Sequence, residues 1–424
     1  MSTDSIQDSC PAPVELRASS PRPSPYLLSP GEYGVGIGSF LTTLGYELPL
    51  SLLAALFIQF KTPILLVTII EGGAIALAIF ASMLGTHLAT TPRRRLLTIL
   101  LGHCATTCCY SLLGLATTTA QLALFRISAA TSRGLYTPAF KAFLADLGPS
   151  FTFRRTYGLV RLLEHMGNIA APLLALALVF WLQSGAAFVI SLLLGGLALG
   201  FQLLTFFLRR RSTIREQPPT SLQALSLLQR SVGLVLAALG LFSVCQVTTT
   251  LLLLRTIQML PEQLSSTTIV LVSLLLYAVF NMVTSINGFF SAWLSERWGP
   301  VTLLSLGLLL YLLSYLGFAF SLAHPAWLML CFTLAGMGNG CIQACQKAAI
   351  VALSPAELRL SALRLLPVFQ ACGSAIAGIM VGLLWTFFSP MIAFIHLAVW
   401  TLLAFLILVT VALSVQRQSF DSLP

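Results

Sequence analysis

Twelve apolar runs of about 20 residues or more, divided by short polar breaks, set the terms on which this chain can fold. They lie near 36–59, 63–85, 96–116, 118–145, 156–181, 185–208, 231–256, 268–292, 300–321, 326–352, 361–386 and 390–413. A bilayer's hydrocarbon core is roughly 30 Å thick and a helix rises about 1.5 Å per residue, so each run can cross it. Backbone groups in lipid must be paired within their own segment, which makes each run a helix. The chain is 57% hydrophobic and 8% charged, whereas soluble domains carry about 25% charged residues. The expected class is an all-α, multi-pass integral membrane protein.

The net charge of +10 does not point to nucleic acid, because the basic residues stand in short loops between apolar runs. No zinc spacing or phosphate-cradling glycine loop accompanies them. The even-numbered connections carry Arg93-Arg94-Arg95, Arg154-Arg155, Arg209-Arg210-Arg211, Arg297 and Arg359, while the odd-numbered ones carry little beyond Lys61. The positive-inside rule then puts both termini in the cytoplasm, with a bacterial inner or plasma membrane as the expected location. Residues 1–33 are rich in Pro and Ser and lack an apolar core, so they read as a disordered cytoplasmic tail with no signal peptide. Residues 415–424 read as a second tail. The nine cysteines lie mostly inside apolar runs, against an external disulfide framework. Trp181, Trp327 and Trp385 fall near outer span ends, as an interfacial belt would place them.

The longest cytoplasmic connection, 209–230, divides the spans six and six, into 34–208 and 231–414. Shifting the chain by 206 positions superimposes Gly134 on Gly340, Lys141 on Lys347, Pro149 on Pro355 and Gly167 on Gly373. Span 4 thus corresponds to span 10. The reading is two pseudo-symmetric six-helix bundles related by an axis along the membrane normal.

Two loops carry a resemblance. Between spans 2 and 3 the chain reads GTHLATTPRRR, from Gly85 to Arg95, and between spans 8 and 9 it reads AWLSERWGP, from Ala292 to Pro300. These resemble the signature Gly-x-Leu-x-Asp-Arg-x-Gly-Arg-Arg of the major facilitator superfamily of secondary transporters. Gly85, Arg93, Arg94 and Arg95 match the first copy, with Ala89 in place of its Asp; Glu296, Arg297 and Gly299 match the second. A finer resemblance is to a bacterial branch of mostly unassigned substrate. It rests on Glu47 ending SFLTTLGYE, Ile70-Glu71-Gly72, the stretch Arg133 to Asp146, YGLVRLLEHMGNIAAPLL with Glu164, and LLLLR ending at Arg255. The resemblance implies the superfamily's fold and alternating-access transport. Without the signature Asp, the gate of the first half is expected to be held differently.

Charges at mid-bilayer cost at least about 2.5–3.5 kcal/mol each, so they should face a cavity or a partner. By helix rise, Glu47 lies about 16 Å from the inner face, with no evident basic neighbour at its depth. Desolvation favours the neutral form of such a carboxyl, which makes Glu47 the first candidate for proton coupling and Glu71 the second. Glu71 and Arg126 each lie roughly 12 Å from the outer face; Arg133 and Glu164 differ in depth by only some 5 Å. The expected pairs are Glu71–Arg126 and Arg133–Glu164, which adds Glu164 to the coupling candidates. Arg133 and Lys141 share one face of span 4, two turns apart, with Pro138 between them to bend the helix. That face suits an anionic or polar group on a substrate.

The second half offers Asn281, Asn339, Gln343, Gln346, Lys347 and Gln370, able to orient a ligand by hydrogen bonds but not to carry a proton easily. His103, Cys104 and Cys108, and again Cys341 and Cys345, stand at helical spacing; packing is preferred there over soft-metal binding, and no metal or cofactor is expected. Five histidines scattered along the chain do not compose an enzyme site. The function expected is a monomeric, proton-coupled secondary transporter of a small molecule, with efflux favoured. The alternative is a non-transporting scaffold or sensor derived from one.

Overall fold

A computed structural model of the protein describes residues 30–145, 150–181, 184–208, 230–246, 248–260, 265–320, 324–355 and 359–421. The tail before residue 30 and the connection 209–229 lie outside the described residues. The rest is helical: α1 (Pro30–Gln59), α2 (Ile64–Leu88), α3 (Pro92–Leu112), α4 (Thr119–Ala145), α5 (Ser150–Trp181), α6 (Ser184–Leu208), α7 (Arg230–Cys245), α8 (Thr249–Met259), α9 (Ser266–Trp298), α10 (Pro300–Ala319), α11 (Pro325–Leu353), α12 (Arg359–Phe387) and α13 (Pro390–Asp421). No strand occurs among the described residues.

The seventh span, expected as one helix over 231–256, is broken. Gln246 and Thr248 stand outside helix, between α7 and α8. A polar residue followed by β-branched Val and three Thr forms helix weakly. The carbonyl that the break frees at Cys245 accepts from the Tyr315 hydroxyl at 2.9 Å. Backbone can leave helix at membrane depth where protein supplies the partner.

Eleven spans among the described residues are long and apolar enough to cross a membrane. The remaining one is α4, which is 27 residues long but carries Arg126, Arg133 and Lys141. It stays one helix through Pro138 and packs on α2 and α3, which leaves Arg126 buried, Arg133 half-buried and Lys141 exposed.

Neighbour relations repeat between the halves. In the first half α1 packs on α5 and α6, α2 on α4, and α3 on α4 and α6; in the second, α7 packs on α12 and α13, α9 on α11, and α10 on α11 and α13. The glycines superimposed by the 206-residue shift make equivalent contacts. A Cβ on Gly134 would fall 2.0 Å from Ala78 O of α2, and one on Gly340 2.8 Å from Thr284 O of α9. A Cβ on Gly167 would meet Thr43 of α1 at 2.9 Å, and one on Gly373 would meet Ser243 of α7 at 2.5 Å. Lipid gives little hydrophobic drive between helices, so small residues that admit close backbone packing hold the bundles together.

Between bundles, α2 lies along α12 and α5 along α9. The α2–α12 seam is built of small residues near the outer end that loop charge assigns. A Cβ on Gly378 would sit 2.5 Å from Thr68 O, and one on Gly72 2.7 Å from Ser374 O. Gly378→Leu is expected to wedge this seam and favour opening to the outside. Faster labelling of a cysteine placed at Ala377 would report it; unchanged labelling would remove the seam as a gate. One expectation fails nearby: Trp385 is not in an interfacial belt but buried, its ring 5.7 Å from Phe394.

Candidate functional site: a charged cleft between the bundles

Three membrane charges of the first half, Glu71, Arg126 and Arg133, lie along one string of contacts. On α2, Glu71 is 1% exposed and takes Arg126 of α4 in a two-point pair, Nε to Oε1 at 2.7 Å and Nη2 to Oε2 at 3.3 Å. Arg126 Nη1 donates to the Tyr110 hydroxyl of α3 at 3.3 Å. The Tyr110 ring lies 6.1 Å from that of Tyr46 on α1. Over Tyr46 lies the Arg133 guanidinium, 3.6 Å from the ring centre and bonded through Nη2 to the phenol oxygen. A planar cation on an aromatic face keeps its charge without a carboxylate beside it.

Glu71 and Arg126 therefore meet, as their equal depths led us to expect. Arg133 and Glu164 do not pair. Glu164 accepts from Arg161 Nη1 at 3.1 Å, three residues earlier on α5, while Arg133 stacks on Tyr46. Helix rise gives height in the membrane but not rotation about the helix axis, so matching depths do not make a contact. The expectation that Glu47 lacks a basic neighbour also fails: Arg133 and Arg126 both act on it electrostatically.

Glu47 is 8% exposed and is the point where the bundles touch chemically. Tyr277 of α9 donates its hydroxyl to Glu47 Oε2 at 2.8 Å. Asn281, one turn further along α9, stands beside the same phenol. Two more polar links cross between bundles: Thr250 of α8 donates to Glu71 Oε2 at 3.3 Å, and His165 Nδ1 of α5 lies 3.1 Å from Ser285 Oγ of α9. Tyr46, Tyr110 and Tyr277 were not singled out in the sequence. Tyrosines inside spans, where an interfacial belt would not place them, were the signal available.

A cavity of about 230 Å³ lies where the bundles meet, lined by Ile75 of α2, Gln246 and Thr248 of the broken span, Asn339 and Gln343 of α11, and Ser374 of α12. Burying a polar group without a bond is costly, so a solute here would be held by donors and acceptors already in place. Asn339 and Gln343 were expected; Gln246 and Thr248 were concealed by reading span 7 as continuous. Gln346 instead accepts from Gln370 Nε2 at 3.0 Å, tying α11 to α12. Lys141 and Lys347 are exposed, as is Gln343 at the edge of the cavity.

Arg95 ties the first gating loop to its neighbours. Arg95 Nε and Nη2 donate to the carbonyl of Ala89 at 3.4 Å, and Nη1 reaches Ala142 O of α4 at 3.4 Å. A backbone acceptor thus stands at the residue that lost the carboxylate. Gly85 lies against α4, where a Cβ would fall 2.1 Å from Leu135 O; Arg93 and Arg94 are exposed. In the second loop Gly299 takes φ +81 between α9 and α10, a conformation side chains resist. Arg297 lies over Trp293, 5.0 Å from the ring centre, and Glu296 is exposed. Cys341 accepts from Asn287 Nδ2 at 3.2 Å, a link between α11 and α9.

A sequence profile of the Major Facilitator Superfamily matches residues 257–420. The chain is 22% identical over 396 residues to an uncharacterized MFS-type transporter of Methanocaldococcus jannaschii, covering 90% of this chain and 94% of that protein. Among solved structures it resembles a POT family transporter in complex with 5-aminolevulinic acid, with TM-score 0.74 and 14% identity over 91% of this chain and 96% of the other. It also resembles a variant of the nucleoside transporter NupG, with TM-score 0.73 and 16% identity over 90% and 99%.

Proposed function

We propose that this chain, whose residues 257–420 match the Major Facilitator Superfamily profile, is a membrane transporter of that type and, more finely, a secondary active carrier of a small polar solute, coupled to protons through Glu47. The observation that carries this reading is the Tyr277–Glu47 hydrogen bond between bundles. An ionised Glu47 accepts strongly from Tyr277 and ties α1 to α9. A protonated Glu47 loses much of that bond, so proton binding biases how the bundles sit.

The sign of the coupling follows from charge. Arg126 is neutralised by Glu71, while Arg133 faces Glu47 without a carboxylate bonded to it. Protonating Glu47 removes a negative charge from the neighbourhood of Arg133 and makes the cleft more attractive to an anion. Proton and anionic solute therefore favour one another and travel together. An inward proton gradient drives uptake by this scheme, in place of the efflux favoured from apolar composition alone. The scaffold reading drew its support from the altered first signature, and Arg95 bonded to Ala89 O weakens that support.

Proteoliposomes with an imposed pH gradient, loaded with a solute found by thermal-shift screening, test the proposal. One pH unit is worth about 1.4 kcal/mol, so accumulation of about tenfold per unit is expected for one coupled proton. Glu47→Gln is expected to abolish the dependence on the gradient while leaving exchange of solute across the membrane. Flux indifferent to both the gradient and the substitution would remove proton coupling.

A further inference from the structure

The cavity between the bundles gathers polar side chains that the protein itself leaves without partners. Gln246, Thr248 and Thr249 reach it from the break between α7 and α8, Tyr311 from α10, and Asn339 and Gln343 from α11. The elements that carry them are in contact: α11 packs on α7 and α10, and α12 packs on α2, α7 and α11. None of these six side chains makes a hydrogen bond to the described residues. Thr248 is the N-cap of α8, yet its side chain caps no N–H, and its Oγ1 is buried without a partner. Asn339 is 8% exposed and Tyr311 3%. The hydroxyl of Ser374, by contrast, is already bonded to Gln370 O at 2.8 Å. Ile75 and Phe280 complete the wall, and no charged side chain among the described residues lines it. Buried polar side chains are normally bonded, because leaving them unpaired is costly. Six that converge on one cavity call for a solute that supplies the missing bonds.

We propose that this cavity takes the polyhydroxylated body of a sugar-sized solute. This rests on the carrier reading and names the substrate class for the same cleft. A hydroxyl donates and accepts, and so does a primary amide, so a ring or chain of hydroxyls can satisfy Gln246, Asn339 and Gln343 together with the three hydroxyl side chains. An apolar solute would leave these groups unpaired, and an ionic group among them would be buried without a counter-charge. The anionic group through which proton and solute favour one another then lies outside this set of side chains. The cavity of about 230 Å³ has room for about seven waters at about 30 Å³ each, the scale of a single sugar. The α2–α12 seam borders it directly: the crevice at Gly72 and Gly378 shares Ile75, Gln246, Thr248 and Ser374 with the cavity. Parting that seam opens the bound solute to the outside.

Titration calorimetry on the full-length protein in detergent tests the site. Ribose, glucose, sorbitol and gluconate are the hydroxylated probes; hexanoate has the chain length and charge of gluconate without its hydroxyls. At least one hydroxylated probe is expected to bind about tenfold tighter than hexanoate. Asn339→Leu and Gln246→Leu should each weaken that binding about tenfold. The same two variants should leave the melting temperature of the solute-free protein unchanged or higher, because each removes a polar group that has no partner in the fold. A purely structural role predicts the reverse. The proposal is overturned if no hydroxylated probe binds better than hexanoate, if both leucine variants keep the binding, or if both lower the melting temperature of the solute-free protein. Equilibrium binding needs no pH gradient, so the two readings fail separately. Sugar binding with flux indifferent to the gradient would remove proton coupling and keep this site; gradient-driven flux without sugar binding would do the opposite.

Discussion

Glu71→Ala is expected to destabilise the protein by about 3–5 kcal/mol, the cost of leaving a buried cation without its partner. Arg126 is 6% exposed and directs Nε and Nη2 at the two Glu71 oxygens; its remaining described contact is the Tyr110 hydroxyl. With Glu71 gone, the buried guanidinium loses both carboxylate bonds and keeps the Tyr110 hydroxyl. Exchanging both partners for apolar residues of similar size should cost much less than Glu71→Ala, because the desolvation penalty disappears along with the attraction. Denaturant titration in detergent of Glu71→Ala, Arg126→Leu and Glu71→Leu with Arg126→Leu gives the comparison. If Glu71→Ala costs no more than Glu296→Ala, at an exposed position, the pair is not a structural element.

Gly134→Val is expected to cause the largest loss of folded protein among the glycine substitutions. Its Cβ would be placed 2.0 Å from Ala78 O, against backbone rather than a side chain that can swing away. Inserting carbon into a packed interior typically costs about 1–3 kcal/mol. Here α2 and α4 must move apart, and that displaces Glu71 from Arg126 on the same two helices. Gly340→Val, at the repeat-related position, meets Thr284 O at 2.8 Å and should be milder but of the same kind. Gly73→Val is the control, since nothing lies within 4 Å of a Cβ there. The monodisperse fraction after size exclusion, with the melting temperature, measures all three. Equal yields for Gly134→Val and Gly73→Val would show that the α2–α4 approach is not tight.

Both effects depend on residues visible in the sequence, but they were visible in different ways. Gly134 and Gly340 stood out because duplication placed them at one offset, and duplicated halves place equal residues in equal contacts. The Glu71–Arg126 pair could be inferred from equal depth, since a charge pair in lipid has few other partners. The same inference misassigned Arg133, for which an aromatic ring on α1 served in place of a carboxylate.

Span length, span number, the duplication and the presence of a few costly charges were determined by sequence alone. Each is local or periodic, set by apolar residues that need lipid and backbone that needs internal pairing. The break at Gln246 and Thr248, the meeting of Glu47 with Tyr277, and the stacking of Arg133 on Tyr46 belong to tertiary structure. Which side chains meet depends on how each helix is rotated about its axis and tilted against its neighbours. Many packed interfaces set that angle together, and no single span encodes it.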